Sequence, residues 1–218
     1  MSRTAWLAVV AAIAALAAIV ACTINPVTGE SQLDLMGESQ ELQLGASLYP
    51  MYTAQSLGTV EDAALQAYVD EIGRGLAAVG HRPQLQWQFN AVNEPAVNAY
   101  ALPGGKVSIT RGLLSRMQSE DELAAVLGHE SGHVTARHSA QQYTRQMLAQ
   151  LALTAGAIYM EAEDVRNRDL YMLGGMFGAQ LALAHYSREQ ERQSDDLGLA
   201  YMVAAGYNPR GMVDLHQI

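Results

Sequence analysis

Cysteine, basic tracts and charge are all scarce in this chain. Cys22 is the only cysteine among 218 residues, so no disulfide can form within the chain. Charged residues make up 16% of the sequence, the formal net charge is -9 and the pI is about 5.0. Nucleic-acid phosphates are bound by clustered Lys and Arg, and no such tract is present. These properties argue against nucleic acid as a partner.

Hydrophobic residues, in contrast, make up 50% of the chain, which suffices for one domain with a buried core. Arg3 precedes the apolar run Trp6–Val20, a pattern that predicts a secretory signal peptide over residues 1–21. The end of this run resembles a bacterial lipobox, in which cleavage leaves Cys22 as a lipidated first residue. The alternative is an uncleaved membrane anchor, although a spanning helix needs about 20 apolar residues.

The lipobox resemblance also implies a location. In Gram-negative lipoproteins, a residue other than Asp after the lipidated cysteine goes with sorting to the outer membrane, and Thr23 follows Cys22. We therefore expect a lipid-anchored protein on the periplasmic side of the cell envelope, at the outer membrane. Residues 22–37 are polar and turn-rich and are predicted to be a tether, followed by the folded domain at 38–218.

Apolar periodicity predicts an α+β domain that is predominantly helical. The elements predicted first are helices at Glu38–Tyr49 and Glu61–Val79, a strand at Leu85–Ala91 with Trp87 and Phe89 facing a core, and a hairpin of Val97–Leu102 and Lys106–Thr110. Pro103-Gly104-Gly105 is the turn signal of that hairpin.

Two apolar segments, Leu148–Met160 and Leu170–Ala184, follow later in the chain. A charged stretch at 161–169 separates them and is predicted to be a loop. Neither segment is long enough to span a bilayer comfortably. We predict buried core helices, with membrane insertion as the alternative.

The chemistry of the chain is concentrated in His129-Glu130-Ser131-Gly132-His133. Ser119 and Glu122 predict a capping box that opens a helix containing this motif and running to about Thr135. Residues four apart share a helix face, so His129 and His133 can direct both imidazoles at one metal ion. Glu130 then lies beside that ion, where its carboxylate can act as a general base.

A third metal ligand has to come from elsewhere in the chain. Ala136 and Ser139 stand where a metzincin continuation needs Gly and His, and no Asp or Glu occurs between Val134 and Met160. Glu191 and Asp195, four residues apart, are the best acidic candidates. One of them can bind the metal while the other accepts the outer N–H of a ligand histidine.

Four motifs together resemble the HtpX-like and prenyl-protease-like zinc metallopeptidases, peptidase family M48, in its periplasmic lipoprotein branch. The resemblance runs from about Pro26 to the C-terminus, and its motifs are Asn98-Ala99-Tyr100-Ala101-Leu102-Pro103-Gly104-Gly105, Thr110-Arg111-Gly112-Leu113-Leu114, His129-Glu130-x-x-His133-Val134-x-x-Arg137-His138, and Tyr186-Ser187-Arg188 with Glu191-x-x-x-Asp195. Ser194 departs from the Ala that is usual there, a small-for-small change.

This resemblance implies a zincin-like fold with one Zn²⁺ per chain. His129, His133 and Glu191 would be the zinc ligands, Glu130 the catalytic base, and Asp195 the partner of a ligand histidine. It also implies that a small sheet has its edge strand beside the helix of the motif. That strand would bind substrate through Asn98, Ala99, Tyr100 and Ala101.

The residues themselves are compatible with substrate binding along this strand. Ala99 and Ala101 are small enough for a second backbone to approach, and Pro103 ends the strand as at a sheet edge. A sheet edge offers unpaired N–H and C=O groups to an added strand. The alternative is an interior strand that is paired on both sides.

The expected function is a zinc-dependent endopeptidase of the cell envelope, in which Glu130 activates a zinc-bound water. Its partners would be extended or unfolded proteins, the membrane through a lipid on Cys22, and the envelope assembly machinery. The alternative is an envelope chaperone or assembly factor with a latent zinc site. Asn208-Pro209 starts one more predicted helix, and we expect that helix to continue beyond Ile218 in a longer protein.

Overall fold

The computed structural model describes residues 22–182 and 185–215. Their elements are β1 (Cys22–Ile24), β2 (Ser31–Leu33), α1 (Glu38–Gln55), α2 (Ala63–Ala78), β3 (Gln88–Val92), β4 (Ala99–Leu102), β5 (Lys106–Thr110), α3 (Arg111–Leu114), α4 (Glu120–Thr135), α5 (His138–Ala162), α6 (Arg168–Ala182), α7 (Arg188–Ala204) and α8 (Arg210–Leu215). The predicted α+β class with predominant helix is confirmed. The predicted signal peptide at 1–21 lies outside the described residues.

The chain divides into two compact units. Of the described residues, the hairpin unit contains 22–24, 30–36, 140–182 and 185–186. The sheet unit contains 25–29, 37–139 and 187–215. The predicted metal ligands all belong to the sheet unit.

The sheet unit contains a three-stranded sheet in the order β3-β5-β4. β3 pairs with β5 in parallel, whereas β4 pairs with β5 antiparallel, with Ala99 opposite Ile109 and Leu102 opposite Lys106. The hairpin predicted around Pro103-Gly104-Gly105 is therefore confirmed. Within the described residues, β4 is an edge strand of this sheet.

The core of the sheet unit includes the aromatic pair that the alternating pattern indicated. Trp87 and Phe89 are both buried, and their nearly parallel rings have centroids 5.6 Å apart. The strand itself begins at Gln88, later than predicted. Leu85 donates its N–H to the Arg82 carbonyl, and the N–H of Trp87 bonds to the Leu85 carbonyl, so a turn occupies the predicted first residues.

α4 begins where the sequence predicts. The Ser119 hydroxyl accepts the N–H of Glu122 at 3.2 Å, as an N-cap does. The Glu122 carboxylate accepts the N–H of Gln118 at 2.9 Å, whereas a capping box would use the N–H of Ser119. The helix ends at Thr135, as expected, and most of its residues are buried.

The end of α1 differs from the prediction, whereas the start of α8 agrees with it. α1 continues through Pro50 to Gln55, although the pattern predicted its end at Tyr49. Proline removes one N–H and bends a helix, but the i→i−4 bonds on either side can continue it. α8 begins directly after Asn208-Pro209, as predicted, and is described to Leu215.

The hairpin unit begins with β1 and β2, which pair antiparallel from Cys22 opposite Leu33 to Ile24 opposite Ser31. The segment 22–37, predicted to be a tether, therefore contains a strand pair. After β2, the N–H of Leu35 donates to the Thr144 hydroxyl on α5 at 2.9 Å. The start of the described chain is thus hydrogen-bonded to α5.

α5 and α6 are not the buried core helices that the apolar pattern predicted. Large apolar side chains on both helices are exposed, including Leu151, Ile158, Leu170, Leu173 and Phe177. The connection between the helices is also shorter than the predicted charged loop, because α5 runs to Ala162 and α6 starts at Arg168. Among the described residues, no helix combines the length and apolar character needed to cross a membrane.

Candidate metal centre

The centre is built where α4 and α7 cross at small residues. A Cβ added to Gly198 would lie 2.7 Å from the His129 nitrogen, and one added to Gly132 would lie 2.7 Å from Ser194 Oγ. Contacts this short require glycine at both positions, because a larger side chain would separate the helices. The Ser194 hydroxyl also donates to the His129 carbonyl. The crossing brings the acidic residues of α7 over the histidines of α4.

Three side chains converge at this crossing. One ligand atom from each of His129, His133 and Glu191 lies within 4.8 Å of the others. The two Nε2 atoms are 3.1 Å apart, and Glu191 Oε2 lies 3.5 Å from His129 Nε2 and 3.8 Å from His133 Nε2. The structure thus brings together the two histidines of the motif and one of the two acidic candidates.

The donor set fits a zinc ion. Two imidazole nitrogens and one carboxylate oxygen are common catalytic zinc ligands, and a tetrahedral site keeps a fourth position for water. Ligand atoms about 2.0–2.1 Å from a tetrahedral ion are about 3.3 Å from one another. The separations of 3.1, 3.5 and 3.8 Å bracket that value. No fourth protein ligand that would close the site belongs to this cluster among the described residues.

Asp195 contacts the outer side of one imidazole. Its Oδ1 lies 2.8 Å from His129 Nδ1, on the ring nitrogen that faces away from the centre. An ionised carboxylate only accepts hydrogen bonds, so Nδ1 carries the proton and Nε2 keeps its lone pair. The geometry therefore separates the open alternatives for α7: Glu191 points into the cluster, and Asp195 orients His129.

His133 is oriented by a residue that the helix pattern did not single out. His138 Nδ1 lies 2.9 Å from His133 Nδ1, and His138 Nε2 lies 2.9 Å from Gln193 Oε1. The amide oxygen accepts the Nε2 proton, so His138 Nδ1 can accept the Nδ1 proton of His133. This assignment leaves His133 Nε2 free to bind a metal. His138 is fully buried, as such a relay requires.

By helical spacing alone, a residue five positions after His133 lies off the ligand face, although the family motif includes His138. Helical spacing does not apply to His138, because α4 ends at Thr135, as predicted, and Arg137 adopts φ 58°. A left-handed residue reverses the chain and turns His138 back toward His133. A non-glycine residue in this conformation leaves no clear signal in a sequence.

The end of α4 is also held by a buried ionic network. Glu41 accepts from Arg82 Nη1 at 2.8 Å and from Arg137 Nε at 2.9 Å, and all three side chains are nearly inaccessible. Arg82 Nη1 additionally donates to the Val134 carbonyl at 3.0 Å. The network fixes the backbone on both sides of the turn that positions His138.

Burial keeps His133 neutral. Desolvation, with the nearby imidazoles of His129 and His138, lowers the pKa of His133 to about 2. A neutral imidazole is the form that binds a metal ion. His133 therefore needs no proton release before it acts as a ligand near neutral pH.

Glu130 has the properties of a proton carrier. Its pKa is raised to about 7, chiefly by burial and to a smaller extent by Glu191, while His129 and a hydrogen bond from the Ala101 backbone N–H oppose the rise. A bound cation would lower that pKa. A carboxyl group that titrates near neutral pH can both accept and return a proton, which is what acid–base catalysis requires.

An open cavity of about 410 Å³ connects this centre with β4. The residues that line it are Val97, Asn98, Ala99, Leu113, Val126, His129, Glu130, Glu191, Asp195 and Leu215. Two of the four residues predicted to bind substrate, Asn98 and Ala99, thus border the cavity. The edge of the small sheet lies beside the motif helix, as the resemblance implied.

The hydrogen-bond register of β4 determines which of its backbone groups are available. Thr110 donates its N–H to the Asn98 carbonyl, and hydrogen-bonded pairs alternate along an antiparallel ladder. Tyr100 therefore pairs with β5, and the N–H and C=O groups of Ala99 and Ala101 point away from β5. The Tyr100 hydroxyl lies 3.2 Å from Ser56 Oγ.

Comparisons with known proteins agree with this geometry. The sequence profile described as peptidase family M48 matches residues 63–217, more than half of the chain. "Mitochondrial metalloendopeptidase OMA1" of Arabidopsis thaliana is 34% identical over 152 residues, which cover 69% of this chain and 29% of the relative. The protein of the same name in Schizosaccharomyces pombe is 34% identical over 144 residues, or 65% of this chain and 40% of the relative.

A bacterial relative carries a different name. The "Beta-barrel assembly-enhancing protease" of Yersinia pestis is 28% identical over 195 residues, which cover 88% of this chain and 40% of the relative. The chain thus spans less than half the length of these curated relatives. The family profile and the relatives lead to one conclusion: the chain belongs to peptidase family M48, a family of metallopeptidases.

Proposed function

We propose that this protein is a zinc-dependent endopeptidase of the cell envelope. The observation that carries the proposal is the convergence of two Nε2 atoms and one carboxylate oxygen, from His129, His133 and Glu191, beside the half-buried Glu130. One zinc ion held there would polarise a peptide carbonyl and acidify a water molecule. Asp195 and His138 contact the Nδ1 atoms of the two imidazoles, so that both Nε2 atoms would be available to hold the ion.

Glu130 moves the proton in the proposed reaction. Its carboxylate takes a proton from the attacking water and delivers it to the leaving amine as the peptide bond breaks. Burial raises the pKa of Glu130, which favours uptake of the proton, and a bound cation would lower that pKa, which favours its release to the amine.

The proposed substrates are extended or unfolded chains. Backbone groups of Ala99 and Ala101 face away from β5, and a peptide added there as a further strand would pass the cavity that holds the centre. Asn98 borders the same cavity, and Tyr100 holds β4 in position for peptide binding by pairing with β5. Backbone pairing would give weak side-chain specificity, which suits removal of misfolded proteins.

We place the protein on the periplasmic side of the envelope, attached to the outer membrane by a lipid on Cys22. Support comes from the lipobox resemblance of the sequence and from the name of the bacterial relative, a beta-barrel assembly-enhancing protease. Unassembled envelope proteins would then be substrates, and the envelope assembly machinery a partner. Lipid labelling of the wild type and its loss in Cys22→Ala test the anchor.

The test of the activity compares Glu130→Gln with the wild type on an unfolded casein substrate. The amide cannot accept a proton, so hydrolysis should fall on the order of 10²–10⁴-fold while one zinc per chain and the fold are kept. Glu189→Gln is the matched control, because Glu189 lies on α7, is exposed and pairs with Arg192. Near wild-type cleavage by Glu130→Gln would refute the mechanism. A wild type that prevents aggregation without cleaving would favour the chaperone alternative.

A further inference from the structure

α6 is an apolar helix that remains exposed. It carries no charged residue from Leu170 to Ala182, yet Leu170, Leu173 and Phe177 are 67%, 65% and 63% exposed. α5 is likewise uncharged from Gln146 to Met160. A helix that is apolar on most sides is normally covered by something, because each exposed large side chain forgoes about 1.5–3 kcal/mol of burial.

The α5–α6 pair does not collect its large apolar side chains between the two helices, as a helix pair in water does. The space between the helices is lined by Gln142, Gln146, Ala149, Gln150, Leu153, Met176, Ala179 and Gln180, of which four are glutamines. Leucine, isoleucine, tyrosine and phenylalanine side chains point outward instead. A pair in water directs its apolar residues inward. The arrangement therefore fits apolar surroundings outside the pair.

The N-terminus of the chain indicates that a membrane covers the exposed apolar side chains of α5 and α6. Both interpretations of the N-terminus, a lipid on Cys22 or an uncleaved apolar run ending at Val20, attach the bilayer at the start of β1. β1 pairs with β2, and Leu35 just after β2 is hydrogen-bonded to Thr144 of α5. The proposed attachment point and the two exposed helices thus belong to one compact unit.

The charged connection between the helices determines how they can meet the bilayer. The connection and the two helix ends that flank it contain Glu161, Glu163, Asp164, Arg166, Arg168 and Asp169. Insertion with this end first would carry several charges into the hydrocarbon core, at about 2.5–3.5 kcal/mol each. The pair can instead lie along the surface, where Tyr159 and Tyr171, both exposed, suit the headgroup region.

We propose that the exposed apolar residues of α5 and α6 form a membrane-contact face that lies along the bilayer beside the anchor. We define this face by Leu151, Ile158, Leu170, Leu173 and Phe177. The proposal rests on the membrane attachment at Cys22 but not on hydrolysis. The connection carries more acids than arginines, so apolar partition and not attraction to anionic lipid drives the contact.

Single-cysteine labelling of the full-length, lipid-modified chain tests the face. Cys22 is the only native cysteine and is blocked when lipidated, so Leu173→Cys and Leu151→Cys can each carry an environment-sensitive fluorophore. The control is Val203→Cys, on α7 of the sheet unit, which is also exposed. The protein is reconstituted in vesicles of zwitterionic phospholipid, with or without nitroxide-bearing lipid.

Fluorophores at positions 151 and 173 should both be in contact with lipid. We expect the emission at 173 and 151 to shift to the blue and to lose more than half its intensity with nitroxide lipid, while 203 changes little. Added anionic lipid should alter the result less than twofold. Emission at 173 and 151 that matches 203 overturns the proposal.

Contact with a second copy of the chain, and loss of the lipid on Cys22, would each give a different result. A blue shift that grows with protein density and resists nitroxide lipid indicates contact between copies, and also overturns the proposal. Lipid labelling of Cys22, measured on the same samples, reports separately on the anchor. Casein hydrolysis by those samples reports separately on the proposed function.

Discussion

Replacing His138 by Phe should weaken zinc binding without removing a zinc ligand. Phenylalanine fills a similar volume but offers no acceptor to His133 Nδ1, 2.9 Å away in the native chain. The ligand imidazole would then lose its fixed tautomer and orientation. Such partners are worth about 10–100-fold in metal affinity, or about 1.4–2.7 kcal/mol.

An independent argument gives the same magnitude. The substitution leaves the buried His133 N–H and the Gln193 amide oxygen without the partner that joins them. An unpaired buried polar group costs about 1–3 kcal/mol. Gln193→Ala is the matched control: it removes the outer end of the relay but keeps the His138 acceptor, so zinc affinity should fall less than about tenfold.

Zinc competition against a chelator gives the affinities, and ¹⁵N chemical shifts of the imidazoles give the tautomers. In the metal-free wild type, His133 should carry its proton on Nδ1, and His138→Phe should populate both tautomers. A purely structural His138 would lower the unfolding temperature and leave the tautomer unchanged. A folded His138→Phe variant with wild-type zinc affinity would refute the assignment.

Three further substitutions test the centre and its supports. Glu191→Ala should lower zinc occupancy sharply, because a direct ligand is lost. Asp195→Ala should lower zinc affinity only about 10–100-fold. Metal analysis after dialysis compares the zinc content of the two variants. Glu41→Ala should destabilise the fold by about 3–5 kcal/mol in chemical denaturation, because two buried guanidinium groups lose the carboxylate they share and Arg82 is left with the exposed Glu38; a loss below about 1 kcal/mol would contradict this account. Ala99→Pro should reduce peptide hydrolysis while zinc content and unfolding temperature stay close to wild type; normal cleavage would show that substrate binds elsewhere.

Local signals in the sequence were sufficient for several elements. The Ser119 cap and the apolar period after it predict α4 with correct limits, since capping and periodicity act within a few residues. Pro103-Gly104-Gly105 predicts the β4–β5 turn for the same reason. Glu191 and Asp195 could be proposed by elimination, but only the crossing of two helices assigns one to the cluster and the other to His129.

Other features depend on contacts that a local pattern does not encode. Helical spacing did not predict the contact of His138 with His133, because the left-handed Arg137 reverses the chain and Glu41, distant in sequence, holds that residue. The exposure of Leu173 and Phe177 was mispredicted for a related reason. Periodicity shows that a segment is apolar, but it does not show whether protein or another medium covers it.

The hydrogen bond between the Ala101 N–H and the Glu130 carboxylate has a consequence for the order of events. That N–H is one of the two on β4 that a peptide lying along the edge would use. The group cannot serve both partners at full strength, so a bound peptide would displace Glu130 from the strand. The idle protein would keep its base tethered, and the arrival of a substrate would itself free that base to meet a water molecule.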